Sequence, residues 1–330
     1  MNDAEEERLL RANLQVSALS PEALARIRQA AESEWRARVE APPRRRGMRL
    51  AAVASVAVLA VAGAWGFLGS WNADAGETLA RVARSDAPGV LEQHSLWREK
   101  RLDVGSDLKS GRHFEAQGAT LLSLRGGGNL RIAHGSRFEV LSANSVRLES
   151  GEMYVDIPPG AHRDASFVAI TDAGEFRHVG TQFEIAVNDG ATRLRVREGS
   201  VRWHASDGDS TVDAGSEVEI DALRHVARRL IETSGAPWSW TESLAPDIEI
   251  ENRPVGDFLD WFARETGRRL DLADDATKRR ITTIRMHGDI HGLEPSQALV
   301  AVLGSTSLRF QVSADAIRVS FAGESTTPSP

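Results

Sequence analysis

From Leu50 to Gly69 the chain reads LAAVASVAVLAVAGAWGFLG, without one charged side chain. That is about 20 apolar residues, the length a helix needs to cross roughly 30 Å of hydrocarbon. Arg44, Arg45, Arg46 and Arg49 stand just before it, and the first charges after it are acidic, Asp74 and Glu77. Basic residues in short flanks stay on the cytoplasmic side, so the pattern predicts one transmembrane helix over 50–69, with residues 1–46 inside and everything beyond Ser70 outside. Trp65 and Trp71 fall where an interfacial aromatic belt would be. A signal peptide has a shorter apolar core and a shorter leading segment. Ala73-Asp74-Ala75 does have the small-x-small form of a cleavage site, and Arg45-Arg46 echoes a twin-arginine signal. The anchor reading accounts for more of the stretch.

The chain has 330 residues, a formal net charge of −7 and no cysteine. Its length leaves room for two folded domains outside the membrane. The acidic balance argues against a general nucleic-acid surface, which needs a basic face to neutralise phosphates. The lack of cysteine removes disulfides, thiolate metal sites and thiol nucleophiles together. Folding outside the membrane must then rest on burial.

Residues 1–46 read as a cytoplasmic helical segment. Leu9, Leu10, Leu14 and Val16 form a modest apolar stripe. Ser20 is placed to cap a second helix with Pro21 in its first position, and Leu24, Ile27, Ala31 and Trp35 follow at helical spacing. Two helices this small bury their own apolar faces poorly, which makes Leu24, Ile27 and Trp35 candidates for partner binding. A self-packed or partly disordered tail is the competing reading. Ala41-Pro42-Pro43 breaks the helix before the membrane.

Residues 72–101 form a juxtamembrane connector, in which Thr78-Leu-Ala-Arg-Val-Ala is a strand or a short helix. Over 102–222 the texture is short alternating runs: ATLLSL (119–124), NLRIA (129–133), SRFEV (136–140), SVRLE (145–149), EMYVDI (152–157), SFVAIT (166–171), EFRHV (175–179), QFEIAV (182–187), TRLRVR (192–197), SVRWH (200–204) and SEVEI (216–220). Apolar residues recur with period two, and Gly, Asn, Asp or Ser separates most runs. The region is predicted to be all-β, as a sandwich, barrel or solenoid.

GEMYVDI, HVGTQFEI and VREGSVRW, closing with AGSEVEI, resemble the core pattern of the FecR family over roughly Leu102 to Asp221. The most specific blocks are Val179-Gly180-Thr181-Gln182-Phe183 and Arg197-Glu198-Gly199-Ser200-Val201. Gly180 and Gly199 are read as strand starts that need twist or positive φ, and Phe183 and Trp203 as core. With Thr181 and Glu198 these motif residues are scaffold determinants and not a binding site.

Residues 223–246 read as a linker with Pro237, Trp238 and Trp240, and 323–330 as a tail. Over 247–322 the grammar changes to β-α-β-β-α-β-β, a small α+β domain. IEIE (248–251) is a predicted strand. Pro254 opens a helix carrying Val255, Phe258, Leu259 and Phe262 inward, and Gly267 closes it. RLDL (269–272) and TTIRMHGDI (282–290) return to strand periodicity. Pro295 opens a second helix with Ala298, Leu299 and Val302 inward, closed by Gly304, and LRFQV and AIRVSF make a hairpin. The domain resembles the short N-terminal domain of secretins and TonB-dependent receptors, PSQALVAVLGSTSLRFQV most of all. The whole is mainly β.

Sites for chemistry are sparse. His287, Asp289 and His291 alternate, so a strand would turn all three to one face, yet a metal site needs preorganised ligands; a solvated face is the simpler reading. Gly126-Gly127-Gly128-Asn129 has no helix N-terminus behind it and reads as a turn. No G-x-S-x-G elbow occurs. No catalytic residue, metal or cofactor is expected. The FecR resemblance implies a single-pass inner-membrane regulator, N-terminus cytoplasmic and C-terminal domains periplasmic. It implies an extracytoplasmic-function sigma factor as cytoplasmic partner. The periplasmic partner would be the signalling domain of an outer-membrane TonB-dependent receptor or another periplasmic protein, with no direct nucleic-acid contact. A membrane-anchored adaptor or ligand-binding scaffold without a sigma factor is the alternative.

Overall fold

The alternating runs pair into one large sheet. The structure, a computed structural model, describes residues 76–87, 89–95, 98–158, 167–206 and 208–321, all within one compact unit, Trp71–Pro330. The expected N-terminal helices and the helix 50–69 lie outside the described residues, as does the tail. No helix among the described residues is long and apolar enough to cross a membrane.

Among the described residues fifteen strands share the first sheet. They are β1 (Thr78–Ser85), β2 (Val90–Ser95), β3 (Arg98–Leu102), β4 (Asp107–Lys109), β5 (Arg112–Ala116), β6 (Thr120–Leu124), β7 (Asn129–Ile132) and β8 (Arg137–Ser142). There follow β9 (Ser145–Asp156), β10 (Val168–Thr171), β11 (Gly174–Asn188), β12 (Ala191–Ala205), β13 (Gly208–Asp213), β14 (Ser216–Ile220) and β15 (Val226–Leu230). The undecided stretch at Thr78 is a strand. Gly126, Gly127 and Gly128 lie in the turn between β6 and β7, and Asn129 opens β7.

Three long strands organise the pairing. The first half of β9 pairs with β8 and β10, its second half with β7 and β11. Residues 174–179 of β11 meet β10 and the far end of β12, while 182–187 meet β9. The near end of β12 pairs with β14 and its far end with β13. One layer therefore runs β4-β1-β6-β7-β9-β11-β12-β14-β15, the other β3-β2-β5-β8-β9-β10-β11-β12-β13, joined by strands that change layer at bends. One apolar core takes Leu122, Leu130, Val155 and Val218 from the first and Phe114, Phe138, Val146 and Phe176 from the second. The choice left open by the sequence is settled as a sandwich.

The bends are glycines. Gly151, Gly180 and Gly199 have φ of 94°, 61° and 73°, and the β11–β12 register breaks between Val179 and Phe183. A Cβ on Gly199 would stand 2.5 Å from the Gly180 carbonyl oxygen, closer than any side chain tolerates. Three pairs of runs expected as separate strands (SVRLE and EMYVDI, EFRHV and QFEIAV, TRLRVR and SVRWH) are thus three continuous strands. Gly180 and Gly199 lie at mid-strand bulges and not at strand starts, because a bulge and a turn both call for a residue that accepts positive φ.

The terminal part begins with a 3₁₀ turn, Ala236–Trp238, and one helical turn, α1 (Ser239–Glu242). It continues with α2 (Val255–Thr266), β16 (Arg269–Leu272), α3 (Asp275–Thr283), α4 (Pro295–Gly304), β17 (Leu308–Val312) and β18 (Ala316–Phe321). The strand order is β16-β18-β17, with β16 parallel and β17 antiparallel to β18. Val255, Phe258, Leu259, Phe262, Ala298, Leu299 and Val302 are buried in its separate core. Two expectations are corrected. IEIE is not a strand, although Ile250 is buried. In place of one strand over 282–290 there is the end of α3 followed by irregular chain, touching Pro254 through a single bridge at Arg285. Asp274 sets the start of α3: its side chain caps the helix by accepting the Thr277 N–H at 2.6 Å.

Candidate functional site at the junction of sheet and terminal helices

In most antiparallel sheets the face away from the core carries solvated charges. Here part of that face is covered by residues 232–268, and its charges are buried. Cross-strand register sets Arg131, Tyr154, Glu184, Arg195, Glu217 and Arg229 directly opposite one another along a row over β7, β9, β11, β12, β14 and β15. The charges alternate from Glu184 outward. Arg195 stands 3.4 Å from Glu184 and 2.6 Å from Glu217, and Arg229 closes the row 2.6 Å from the far oxygen of Glu217. Trp240, from α1, donates its ring N–H to Glu184 at 2.9 Å.

At the other end of the row the terminal part locks on. Arg131 is fully buried. It donates to the Thr241 carbonyl at 2.7 Å and to the Glu265 carboxylate of α2, and its guanidinium lies 4.9 Å from the Tyr154 ring centroid. Arg197 enters from β12, 5.1 Å over the Trp238 ring. It donates to the carbonyls of Thr233 at 2.8 Å and Glu265 at 3.0 Å, and to the Glu242 carboxylate at 3.4 Å. Arg264 of α2 grips Asp156 of β9 and, at 2.8 Å, Glu198 of β12. Trp238, also fully buried, meets Tyr154 edge-on with ring centroids 6.0 Å apart and anchors its N–H on the Glu232 carbonyl at 2.9 Å.

Burial and charge compete here. Burial pushes the Glu265 carboxyl above the ordinary glutamate range, with Arg131 pulling the other way. Burial also works against the charge on Arg131, but Glu265 leads the groups that outweigh it and hold the guanidinium charged. Burial raises the Tyr154 hydroxyl to about 12, against the opposing pull of Arg197. Each buried charge has a partner, as a low-dielectric site requires. The arrangement is a clamp, in which Arg131, Arg197 and Arg264 tie the sheet to the terminal part.

Of the motif residues, Gly180 and Gly199 are the hinges, and Phe183 is fully buried in the sandwich core. Thr181 is buried, its carbonyl accepting the Ile157 N–H at 3.0 Å. Glu198 is the one that reaches the terminal part, through Arg264. Leu24, Ile27, Trp35 and the arginines 44, 45, 46 and 49 lie outside the described residues. His287 pairs with Glu251 at 2.8 Å, while Asp289 and His291 pair with each other. Among the described residues the group with metal-ligating reach is a different one, His113, Glu139 and Glu149, on the exposed sheet surface. There His113 already pairs with Glu149 at 2.8 Å and Arg147 lies 3.7 Å from Glu139.

The clamp residues Arg131, Asp156, Arg197 and Glu265 were not legible as a site. Arginines alternating in TRLRVR look like a solvated strand face, and only the distant cover reveals otherwise. The available signal was acid and base recurring on the same strand parity.

Residues 114–202 match the FecR protein family. The matched segment runs from β5 into β12 and contains all three hinge glycines, so the resemblance carried by the two glycine blocks is borne out there. No curated protein matches the sequence. Two crystal structures of a "putative anti-sigma factor" from Parabacteroides distasonis ATCC 8503 align with the chain. The one at 2.50 Å resolution has a TM-score of 0.33 and 13% identity, covering 63% of this chain and 96% of that one. The one at 1.65 Å has a TM-score of 0.32 and 13% identity, covering 64% and 95%.

Proposed function

We propose that this chain is a FecR-type signal transducer of the anti-sigma kind, acting by protein–protein interaction and not by catalysis. The FecR match over 114–202 carries this reading. In it, residues 50–69 anchor the chain in the inner membrane, the N-terminal segment holds an extracytoplasmic-function sigma factor, and the sandwich with its terminal part lies in the periplasm. Leu24, Ile27 and Trp35 form the sigma-binding face. The terminal part receives the signalling domain of an outer-membrane TonB-dependent receptor or another periplasmic protein. An open groove of about 620 Å³ between the 284–290 segment and α4, floored by Ile250, Met286 and Val302, is suited to an extended partner segment.

The clamp gives such a transducer its mechanical link. A partner bound in that groove acts on a body already fixed to the sandwich through Arg131, Arg197 and Arg264, so load passes to the sheet. Deleting the gene, and separately overexpressing it, tests the reading by transcript profiling. The expected result is that one sigma-factor regulon shifts in both strains. No coherent regulon shift in either would favour the adaptor reading.

A further inference from the structure

Strand β15 ends the layer, and it is an unusual edge. All five of its residues, Val-Ala-Arg-Arg-Leu, are exposed. Leu230 is 87% exposed, Val226 45%, and Leu223 in the preceding turn 77%. Exposed edge strands are ordinarily guarded by charge because they template pairing with other chains. Arg228 and Arg229 would serve as guards, but guards alone do not explain three large apolar side chains left in water beside them.

The backbone register says what the edge offers. The Asp221 N–H bonds the His225 carbonyl at 3.1 Å and the Ile231 N–H bonds the Gly215 carbonyl at 2.9 Å. Antiparallel bonding alternates with period two, so residues 225, 227, 229 and 231 bond inward to β14. Val226, Arg228 and Leu230 direct their N–H and C=O outward, where among the described residues β15 has no neighbour in the strand order. Their side chains share the face of Val218 and Ile220 of β14, which are buried in the core. The apolar face of this layer therefore continues onto β15, where Arg228 reaches across to Ser210 and to the Thr211 carbonyl of β13 at 3.4 Å, while Val226 and Leu230 on either side of it stay exposed.

Charge selects the occupant. The row Glu184, Arg195, Glu217, Arg229 alternates minus, plus, minus, plus across successive strands and stops on a cation, 63% exposed, with its outer side open. On that outer side the residue facing Arg229 would form a non-hydrogen-bonded pair, in which side chains lie closest. We infer that β15 is a docking edge for an extended segment of a partner protein, one that alternates carboxylate and apolar side chains and adds as the next strand. Its carboxylates continue the row beyond Arg229, and its apolar residues cover Val226 and Leu230. The chain's own β14, Ser-Glu-Val-Glu-Ile, already satisfies the inner edge in this pattern. A second copy of β15 is the wrong occupant: the antiparallel register that sets Val226 against Leu230 sets Arg228 against Arg228, and like charges directly opposite are destabilising.

The test uses the full chain and a labelled peptide of sequence Glu-Ser-Glu-Val-Glu-Ile-Glu, with fluorescence anisotropy as the readout. The expected result is saturable binding that weakens at least about tenfold, or 1.4 kcal/mol, in Arg228→Pro. That substitution removes an outward N–H while leaving the inward bonds to β14 in place. Leu230→Lys, at a position with no packing to lose, should weaken binding in the same direction, and a peptide with lysine for each glutamate should not bind. The proposal is overturned by absence of saturable binding to folded chain, by equal binding of the lysine peptide, or by binding indifferent to both variants. Concentration-dependent self-association that Arg228→Pro abolishes would also overturn it, by making a second copy the occupant.

Discussion

Arg131 shows what a buried charge does in this molecule. It has no solvent contact, and its guanidinium is spent on Glu265, the Thr241 carbonyl and the Tyr154 ring. Replacing a buried pair by apolar residues can be neutral, but removing one partner strands the other. Arg131→Ala should therefore lower unfolding stability by about 3–5 kcal/mol, read by denaturant titration. A loss under about 1 kcal/mol, the value of an exposed pair, would place the junction in solvent. Tyr154 gives a second readout, because it is the chain's only tyrosine and its absorbance titration needs no assignment. Its hydroxyl is raised to about 12 by burial, whereas the unfolded chain titrates near the ordinary value of about 10. Between those values the unfolded state has already lost the proton that the native state keeps. The stabilisation is thus complete below pH of about 10 and declines as pH rises toward 12. Native tyrosinate absorbance appearing near pH 10 would mean that Tyr154 is not covered.

At the scale of elements the decisive features are bent strands. Hydrophobic alternation located most strands from ATLLSL to SEVEI, since one buried face imposes period two wherever it exists, but it passed over β13 and the upstream strands β2 to β5. It could not tell a bulge from a turn. Both need a residue tolerant of positive φ, so Gly151, Gly180 and Gly199 read as gaps between strands until pairing shows the chain running through them. Strand β15 escaped for the opposite reason, being exposed at every residue and carrying no alternation to detect. In the terminal part, Ile284, Met286 and Ile290 imitate a strand because they pack one-sidedly on the core without a ladder partner. The hinge account makes its own prediction. Gly199→Ala combines a strained φ with a clash against the Gly180 carbonyl and should cost at least about 1–3 kcal/mol. The thermal midpoint checks it, and a variant as stable as the parent would remove the hinge.

For the whole molecule, the clamp explains why terminal helices and sandwich lie in one compact unit although each has its own apolar core. This level was the least legible in the sequence. Arg131 meets Glu265 across 134 positions of chain, and nothing local to either announces the other. The functional reading drew instead on the two glycine blocks, whose spacing is a property of the hinges. The account's central claim is that this body is coupled to a sigma factor through the N-terminal segment. The most direct measurement is co-purification of the full chain with each of the host's extracytoplasmic-function sigma factors, beside Ile27→Ala and Trp35→Ala. The account predicts that one sigma factor is retained by the parent chain and lost, by at least about tenfold in affinity, from both variants. Retention of none, or retention unchanged by both substitutions, would contradict it.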